Sequence, residues 1–330
     1  MSVTEDNKTI EPRAFGKVAV LMGGWSAERA VSLRSGQAVL DALLRSGVDA
    51  QGIDVNKETV LQTLEAGNYD RAFIVLHGPG GEDGRIQAVL EVMDIPYTGS
   101  DVLSSALAMD KLRSKMILEA AGLPTPDYMV LDDDTDPEYV VASLGLPLMV
   151  KPALEGSSIG MTRVNEPQQM RDAYTTAAQF PGAVIAERWI EGGEYTVTIL
   201  GEQTLPVIKL ETPNEFYDYE AKYQSDQTRY LCPCGLDPEQ EGQLQRLALA
   251  AFKAVGARGW GRVDILCSED GKPWVIELNT VPGMTDHSLV PMAARAIGMD
   301  FDQLVYAILA QTLEGHNGDH QHGGGHVGAG

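Results

Sequence analysis

The fold is decided by two stretches near the C-terminal end, GRVDILC (residues 261–267) and PWVIELN (residues 273–279). Both are rich in β-formers and flank Asp270-Gly271, a pair typical of a two-residue type I′ hairpin turn. Pairing outward from that turn places Asp264 opposite Glu277 and Arg262 opposite Asn279. Because side chains alternate between the two faces of a strand, these four are predicted to share one face.

The other face of this hairpin pairs Val263 with Leu278 and Ile265 with Ile276, and such apolar pairing predicts a regular register without a bulge. Two carboxylates at cross-strand distance repel each other unless a cation or a proton lies between them. A set of carboxylate and amide oxygens suits Mg²⁺, which commonly accompanies phosphates. The alternative is a solvated hairpin face that carries one arginine among acids.

Length and composition predict a globular protein of two or three domains, because 330 residues with 44% hydrophobic content can bury a substantial core. No apolar run approaches the length of a membrane span, and the first 13 residues are polar, so neither a span nor a signal peptide is expected. The expected location is therefore the cytoplasm.

The net charge of −22 argues against binding to nucleic acid or to anionic membranes, since both favour basic patches. Any phosphate ligand must then be held by local cations. The three cysteines, Cys232, Cys234 and Cys267, match neither an even disulfide set nor paired zinc-ligand spacing, and reduced structural thiols are expected.

The order of strand and helix patterns predicts three folded regions between two disordered ends. The first is a parallel α/β domain, the second an α+β unit, and the third contains the hairpin. The tail is rich in glycine and histidine, and loose binding of a transition metal is its alternative role. The predicted boundaries are 1–14 (extension), 15–108, 109–190, 191–314 and 315–330 (tail).

The first domain is predicted to open with a strand at Lys17–Met22, broken by Gly23-Gly24 and followed by a helix that Ser26 caps. Together with Asp54, the two glycines suggest a dinucleotide site. The third glycine of that fingerprint is missing, so this interpretation is not favoured.

Five further segments carry residue types suited to binding. Glycines and serines can direct backbone N–H groups at phosphates, acids can accept from ribose or purine groups, and a helix N-terminus can bind a carboxylate. Each segment also has a structural alternative: a plain hairpin loop, a strand connector, core packing, simple capping by Ser288, or a structural His77. The segments are residues 77–84, 151–160, 187–194, 216–223 and 282–289.

With these segments in this order, the chain resembles the D-alanine:D-alanine ligase family of the ATP-grasp superfamily from Gly16 to Leu313. The resemblance implies an N-terminal Rossmann-like (pre-ATP-grasp) α/β domain followed by a two-lobed ATP-grasp fold. It rests on the motifs GGWSAER (23–29), HGPGGEDG (77–84), MDKLRSK (109–115), KPALEGSSIGM (151–161), FYDYEAKY (216–223), GRVD (261–264) and ELNTVPGMTDHSL (277–289).

The resemblance implies that the protein converts ATP and two D-alanine molecules into D-alanyl-D-alanine, ADP and phosphate. The expected intermediate is D-alanyl phosphate, and the dipeptide would serve the synthesis of peptidoglycan. The resemblance further implies two Mg²⁺ ions, with Mn²⁺ as an alternative, and a homodimer. Ligases that join D-alanine to D-lactate or D-serine are the rivals within the superfamily, but the form YEAKY (219–223) favours the dipeptide enzyme. A catalytically silent ATP-binding module is the alternative from another class.

The resemblance also implies the roles of individual residues. The metal ions are expected at Asp264, Glu277 and Asn279. The expected catalytic residues are Glu28, Ser157, Tyr223, Arg262 and Gly283, and those binding D-alanine are Glu28, His77, Ser288 and Leu289. The residues expected to bind ATP are Lys111, Lys151, Glu155, Gly156, Ser157, Ser158, Met161, Glu187, Trp189, Ile190, Glu194, Phe216 and Lys222.

Overall fold

A computed structural model describes residues 10–156, 158–212, 228–286 and 288–313. The predicted N-terminal parallel α/β arrangement is confirmed: three parallel strands pair in the order β2-β1-β3. Strand β1 is almost wholly buried, as expected for a central parallel strand. The elements are β1 (Lys17–Gly23), α1 (Arg29–Arg45), β2 (Asp49–Val55), α2 (Val60–Gly67), β3 (Arg71–Ile74), α3 (Arg85–Val92) and α4 (Val102–Met109).

The predicted cap of the first helix is wrong. Helix α1 begins at Arg29, with Glu28 at the N-cap position, and the Ser26 hydroxyl donates to the carbonyl oxygen of His77 at 2.7 Å. Ser26 therefore ties the loop after β1 to the loop after β3. Both loops leave the carboxyl end of the sheet, the edge at which α/β domains bind ligands.

The middle of the chain forms an antiparallel sheet with the order β4-β7-β5-β6. Its core lies beneath two helices, and Val140, Leu148 and Val150 are fully buried there. The elements are α5 (Lys111–Ala120), β4 (Tyr128–Leu131), α6 (Pro137–Leu144), β5 (Leu148–Pro152), β6 (Thr162–Val164), α7 (Met170–Ala177) and β7 (Val184–Arg188).

The third sheet has the order β11-β10-β8-β12-β13, with β9 paired to β8. Helix α8 packs its apolar side on this sheet, and the last two helices join the core of the first domain. The elements are β8 (Gly192–Leu200), β9 (Gln203–Thr204), β10 (Ile208–Glu211), β11 (Arg229–Leu231), α8 (Pro238–Ala254), β12 (Trp260–Ser268), β13 (Pro273–Asn279), α9 (Leu289–Ala296) and α10 (Phe301–Ala310).

The β12–β13 hairpin has a different turn from the one predicted. The Gly271 N–H donates to the Ser268 carbonyl at 2.8 Å and the Ser268 N–H donates to the Lys272 carbonyl at 3.0 Å, so the loop has three residues. Gly271 adopts a φ of +83°, as the αL position of such a loop requires. The longer loop shifts the pairing next to the turn by one residue.

A bulge then reverses this shift, which also contradicts the predicted regular register. Ile265 pairs with Val275 instead of Ile276, and the register changes between Asp264 and Ile265. Beyond the bulge, Asp264 pairs with Glu277 and Arg262 with Asn279, as predicted. The predicted pairs at the site are correct because two unforeseen one-residue shifts cancel.

The bulge also decides which side chains of β13 reach the cleft. Val275 and Leu278 both point into the apolar core although they are three residues apart. The two residues between them, Ile276 and Glu277, both line a cavity on the other side of the sheet. A bulge re-aims side chains in this way because the extra residue leaves the ladder.

The predicted disordered extension at 1–14 is wrong for its last three residues, which belong to a 3-10 helix at Pro12–Phe15, and its residues 1–9 lie outside the described residues. The domain boundaries at 108, 190 and 314 stay predictions. No helix within the described ranges has the length and apolar character needed to cross a membrane.

The bulge predicts unequal losses of stability when two neighbouring residues are truncated. Val275→Ala removes fully buried methyl groups, so we expect the free energy of unfolding to fall by about 2 kcal/mol. Ile276→Ala shortens a side chain at the cavity wall, so we expect a loss within about 1 kcal/mol. Urea unfolding of both variants measures this, and a larger loss for Ile276→Ala would contradict the bulge.

Candidate active site

Two cavities meet at the hairpin. The larger, of about 670 Å³, lies between the middle sheet and the third sheet, and the smaller, of about 150 Å³, lies between the first domain and the third sheet. Lys111 and Glu277 line both cavities. The two cavities therefore adjoin at this end of the hairpin.

The larger cavity gathers most of the residues predicted to bind ATP. They come from α5, the middle sheet and its exit toward β8, which are distant in sequence. Glu155 lines neither cavity, and Gly156 lines the smaller one. Ser157, Phe216, Lys222 and Tyr223 lie outside the described residues. Those in the larger cavity are Lys111, Lys151, Ser158, Met161, Glu187, Trp189, Ile190 and Glu194.

The loop after β5 is held in a tight conformation over this cavity. Ser158 has a φ of +61°, a backbone conformation that residues other than glycine rarely adopt. The Ile159 N–H donates to the Gly156 carbonyl at 3.1 Å. The Lys111 ammonium donates to the Glu155 carbonyl at 2.7 Å. Strained loops that are fixed by such contacts are typical of ligand clamps.

A charged cluster forms the inner wall of the larger cavity. The Lys151 ammonium donates to one carboxylate oxygen of Glu187 at 3.0 Å, and the Lys115 ammonium lies 2.6 Å from the other. Sequence reasoning assigned no role to Lys115, although the motif at 109–115 contains it. Its position four residues after Lys111, one helical turn further along α5, was the available signal.

The hairpin carboxylates each contact a cation. Arg262 donates to both oxygens of Asp264, at 2.8 and 2.7 Å, and the Thr196 hydroxyl donates to the same group at 2.7 Å. The Lys111 ammonium lies 3.5 Å from Glu277. These contacts offset the repulsion between the two paired acids.

The oxygen donors of this hairpin fit Mg²⁺ chemically. Asp264 and Glu277 are paired across the strands, and Asn279 adds an amide oxygen that also accepts from the Val281 N–H at 3.2 Å. In the described part of the chain, no group of three or more His, Cys, Asp or Glu side chains is arranged to hold a metal ion. Mg²⁺ usually takes only one or two carboxylates and completes its shell with water and phosphates.

The smaller cavity brings Glu28 close to two loops. A Cβ added at Gly78 would lie 3.0 Å from a carboxylate oxygen of Glu28, and one added at Gly156 would lie 3.3 Å from it. The two glycines therefore let the loop after β3 and the loop after β5 approach the acid. Glu28 is only 9% exposed, so the cavity offers a sheltered negative charge.

His77 is buried between the first domain and the third sheet. Its Nδ1 lies 2.8 Å from the Val281 carbonyl, which can only accept, and its Nε2 lies 3.5 Å from the Ser35 hydroxyl. Burial lowers the pKa of His77, and Arg262 adds to this although Glu28 opposes it. The imidazole is therefore neutral, and it bridges Ser35 of the first domain and Val281 of the segment after the hairpin.

The segment after the hairpin supplies the opposite wall. Gly283, Ser288 and Leu289 line the smaller cavity, as predicted for the second substrate. The Ser288 hydroxyl accepts from the Thr285 N–H at 2.9 Å and does not cap the helix that follows. Ser288 therefore occupies the N-cap position of α9, but its hydroxyl does not make the capping hydrogen bond of the alternative interpretation. The N-terminus of α9 faces the cavity.

Glu82 is an acid of this cavity that sequence reasoning passed over within the motif at 77–84. The Gly78 N–H donates to its carboxylate at 2.6 Å. Burial, followed by the charge of Glu28, raises the pKa of Glu82 to about 8. Near neutral pH the Glu82 carboxyl is therefore mainly protonated when the site holds no ligand.

This pKa predicts how stability depends on pH. A carboxyl with a raised folded-state pKa stabilises the fold below its unfolded pKa of 4.5, and the contribution is lost as pH rises through about 8. We expect Glu82→Gln, which stays neutral, to flatten the decline of Tm between pH 5 and 8 and to raise Tm by a few degrees at pH 8.

Calorimetric scans of the ligand-free protein measure this effect, with the exposed Glu58→Gln as the control that should follow the unsubstituted chain. Parallel curves for Glu82→Gln and the unsubstituted chain would contradict the prediction.

Comparison with known proteins agrees with this geometry. A family model described as "D-ala D-ala ligase C-terminus" matches residues 117–310, and one described as "D-ala D-ala ligase N-terminus" matches residues 54–100. The D-alanine--D-alanine ligase of Nitrosococcus oceani is 59% identical over 305 residues, which cover 92% of this chain and 96% of that protein.

Solved structures agree as well. The D-alanine--D-alanine ligase of Bacillus anthracis has a TM-score of 0.82 at 36% identity, and its complex with ATP has a TM-score of 0.80 at 33% identity; both cover 90% of this chain and 97% of that one. The VanG D-Ala:D-Ser ligase of Enterococcus faecalis has a TM-score of 0.77 at 30% identity and covers 90% of this chain and 99% of that one. The predicted fold class is thereby confirmed, and the chain belongs to the D-alanine–D-alanine ligase family.

Proposed function

We propose that this chain joins two D-alanine molecules into D-alanyl-D-alanine for peptidoglycan, with ATP converted to ADP and phosphate. The observation that carries this proposal is the junction of the two cavities at Lys111 and Glu277. A nucleotide in the larger cavity would place its terminal phosphate there, next to an amino acid in the smaller one. Reactants held in contact in this way avoid most of the entropic cost of a bimolecular step.

In the first step, the carboxylate of the first D-alanine attacks the γ-phosphorus and ADP leaves, which gives D-alanyl phosphate. Lys111 and Lys151 would neutralise the phosphates, and Lys222 would contact the transferred group. The N–H groups of the loop at Gly156, Ser157 and Ser158 would hold phosphate oxygens. Glu187, Trp189, Ile190 and Glu194 would surround the adenosine, with Met161 and Phe216 against the base.

The first D-alanine would be oriented by its ammonium group. Glu28, sheltered at the junction of two loops, is the proposed partner, and His77 forms the adjoining wall. Ser157 and Tyr223 would close over this site. Closure matters because an acyl phosphate hydrolyses when water reaches it.

In the second step, the amine of the second D-alanine attacks the acyl carbon, the bond to phosphate breaks, and the departing phosphate takes up the proton that the nitrogen loses. The Ser288 hydroxyl and the Leu289 N–H would bind the carboxylate of this substrate at the start of α9. Arg262 and the Gly283 N–H would stabilise the oxyanion. Both line the smaller cavity together with Glu28.

Two Mg²⁺ ions, or Mn²⁺ in their place, are proposed at Asp264, Glu277 and Asn279, where they would neutralise charge that develops on the phosphates. The pairing of Asp264 with Glu277 and the amide of Asn279 support this proposal. Arg262 and Lys111 would hold the two acids in place for the ions.

A homodimer in the cytoplasm is also proposed. Val92 and Leu103 are 84% and 68% exposed on helices α3 and α4, which contact each other. Exposed apolar side chains on adjacent helices support a self-association surface. Light scattering behind size-exclusion chromatography measures the mass.

The proposed reaction predicts a strict dependence on the acceptor. With Mg-ATP, we expect phosphate release with D-alanine and none with L-alanine, and mass spectrometry should find D-alanyl-D-alanine. Mixtures of D-alanine with D-lactate or D-serine test the rival ligases, since a depsipeptide or a mixed dipeptide as main product would select one of them. ATP binding without release under any condition would favour the silent module.

Glu277→Gln tests the metal proposal. We expect turnover to fall by at least about tenfold and the Mg²⁺ requirement to rise, because one of two carboxylate ligands loses its charge. Tm should change little, since the variant also removes repulsion from Asp264. Glu269→Gln, at an exposed acid of the same hairpin loop, is the control that should keep normal activity. Unchanged Mg²⁺ dependence in Glu277→Gln would contradict the site.

A further inference from the structure

A buried ammonium lies behind the wall of the larger cavity. The Lys115 side chain is 1% exposed, and its Nζ lies 2.6 Å from the Glu187 carboxylate. Glu187 and Lys151 line the cavity, whereas Lys115 does not. Lys115 therefore acts on a bound nucleotide only through Glu187.

The contacts of Lys115 leave it a single position. Its Nζ lies within 2.9 Å of three oxygens: the Thr125 hydroxyl at 2.7 Å, the Pro126 carbonyl at 2.9 Å and Glu187. An ammonium group has three N–H donors, and these three oxygens give each donor an acceptor nearby. Lys115 is thus built into the protein as a charged group despite complete burial.

The same contacts connect the two walls of the larger cavity. The Thr125 hydroxyl donates to the Val275 carbonyl at 2.9 Å, and the Val275 N–H donates to the Pro124 carbonyl at 2.9 Å. Val275 belongs to β13, which carries Glu277, whereas Glu187 belongs to β7 of the middle sheet. Lys115 therefore fixes Glu187 relative to the strand that bears the proposed metal ligands.

The charges of the cluster explain why a second lysine is needed. Glu187 carries one negative charge between two ammonium groups, so without Lys115 it would form a one-to-one ion pair with Lys151. If Lys151 were its only partner, Glu187 would hold that ammonium back from the phosphates. With Lys115 on its other oxygen, Glu187 stays ionised while Lys151 turns toward ATP.

We propose that Lys115 is a positioning residue for the nucleotide: it keeps Glu187 ionised and in place, so that Lys151 is available to the phosphates and Glu187 to the base. This inference rests on the proposed function only in that the larger cavity takes ATP. It assigns a role in nucleotide affinity to a residue that the nucleotide does not touch.

The test measures the affinity for a non-hydrolysable ATP analogue with Mg²⁺ by calorimetry, without D-alanine. We expect Lys115→Met to weaken binding by about tenfold or more, as loss of a charge-assisted contact does. Lys253→Met, at an exposed lysine on α8, is the control that should bind normally. Equal affinity in Lys115→Met and the unsubstituted chain, even with a lower Tm, would overturn the proposal.

A double-mutant cycle with Glu187→Gln separates positioning from simple stability. If Lys115 acts through Glu187, Lys115→Met should weaken binding much less in the Glu187→Gln background than alone. Additive losses in affinity would overturn the proposal. Lys115→Met alone leaves Glu187 in a one-to-one ion pair with Lys151, so the single variant carries no uncompensated charge in the buried cluster.

The dependence of analogue affinity on pH adds a measurement that would not change if Lys115 only stabilised the fold. Burial lowers the pKa of Lys115 to about 8, against the raising effects of Glu187 and Glu119; Lys151 lowers it, and the Tyr128 ring lies 5.2 Å away. Analogue affinity should therefore decline above about pH 8, and Lys115→Arg, which stays charged, should retain affinity there. An identical decline in Lys115→Arg would overturn the proposal.

The outcomes also distinguish this inference from the proposed function. If the unsubstituted chain binds the analogue but releases no phosphate with D-alanine, the proposed ligation fails while the role of Lys115 is still measured. If it binds no analogue, both fail.

Discussion

The face-to-face pairing of Asp264 with Glu277 is the constraint on which the rest of the site depends. Two like charges at that distance repel each other, so the hairpin needs both an apolar lock and nearby cations. The lock is Val263 and Leu278, which are buried on the opposite face, and the cations are Arg262 and Lys111. Because Lys111 begins α5, its contact with Glu277 also links the start of that helix to the third sheet.

The acidity of the whole chain contrasts with the distribution of charge around the cavities. A protein of net charge −22 must hold a polyanionic nucleotide through cations placed at short range. Lys111, Lys115 and Lys151 all lie at or behind the larger cavity, and each contacts a carboxylate or a carbonyl. Such pairing keeps buried ammonium groups charged and gives each a fixed position.

The smaller cavity has the opposite character. Glu28 and Glu82 approach each other around Gly78, and His77 is neutral because burial lowers its pKa. A pocket with two acids and an uncharged imidazole favours a ligand that brings a positive charge, such as the ammonium of an amino acid. The N-terminus of α9, which lines the same cavity, suits a carboxylate. The two walls together match a zwitterion.

The sequence by itself determined the strands, the hairpin and the segments that form the site, because these depend on local patterns of apolar residues, glycines and turns. It did not determine the three-residue loop or the bulge at Ile276. The one-residue shifts of the loop and of the bulge cancel, so Asp264 lies opposite Glu277 with or without them, and the pairing at the site does not reveal them. Only the tertiary structure decided the contact of Lys115 with Glu187 and the closeness of Glu28 to Glu82. Those contacts join residues far apart in sequence, and burial, which no local pattern encodes, sets their charge states.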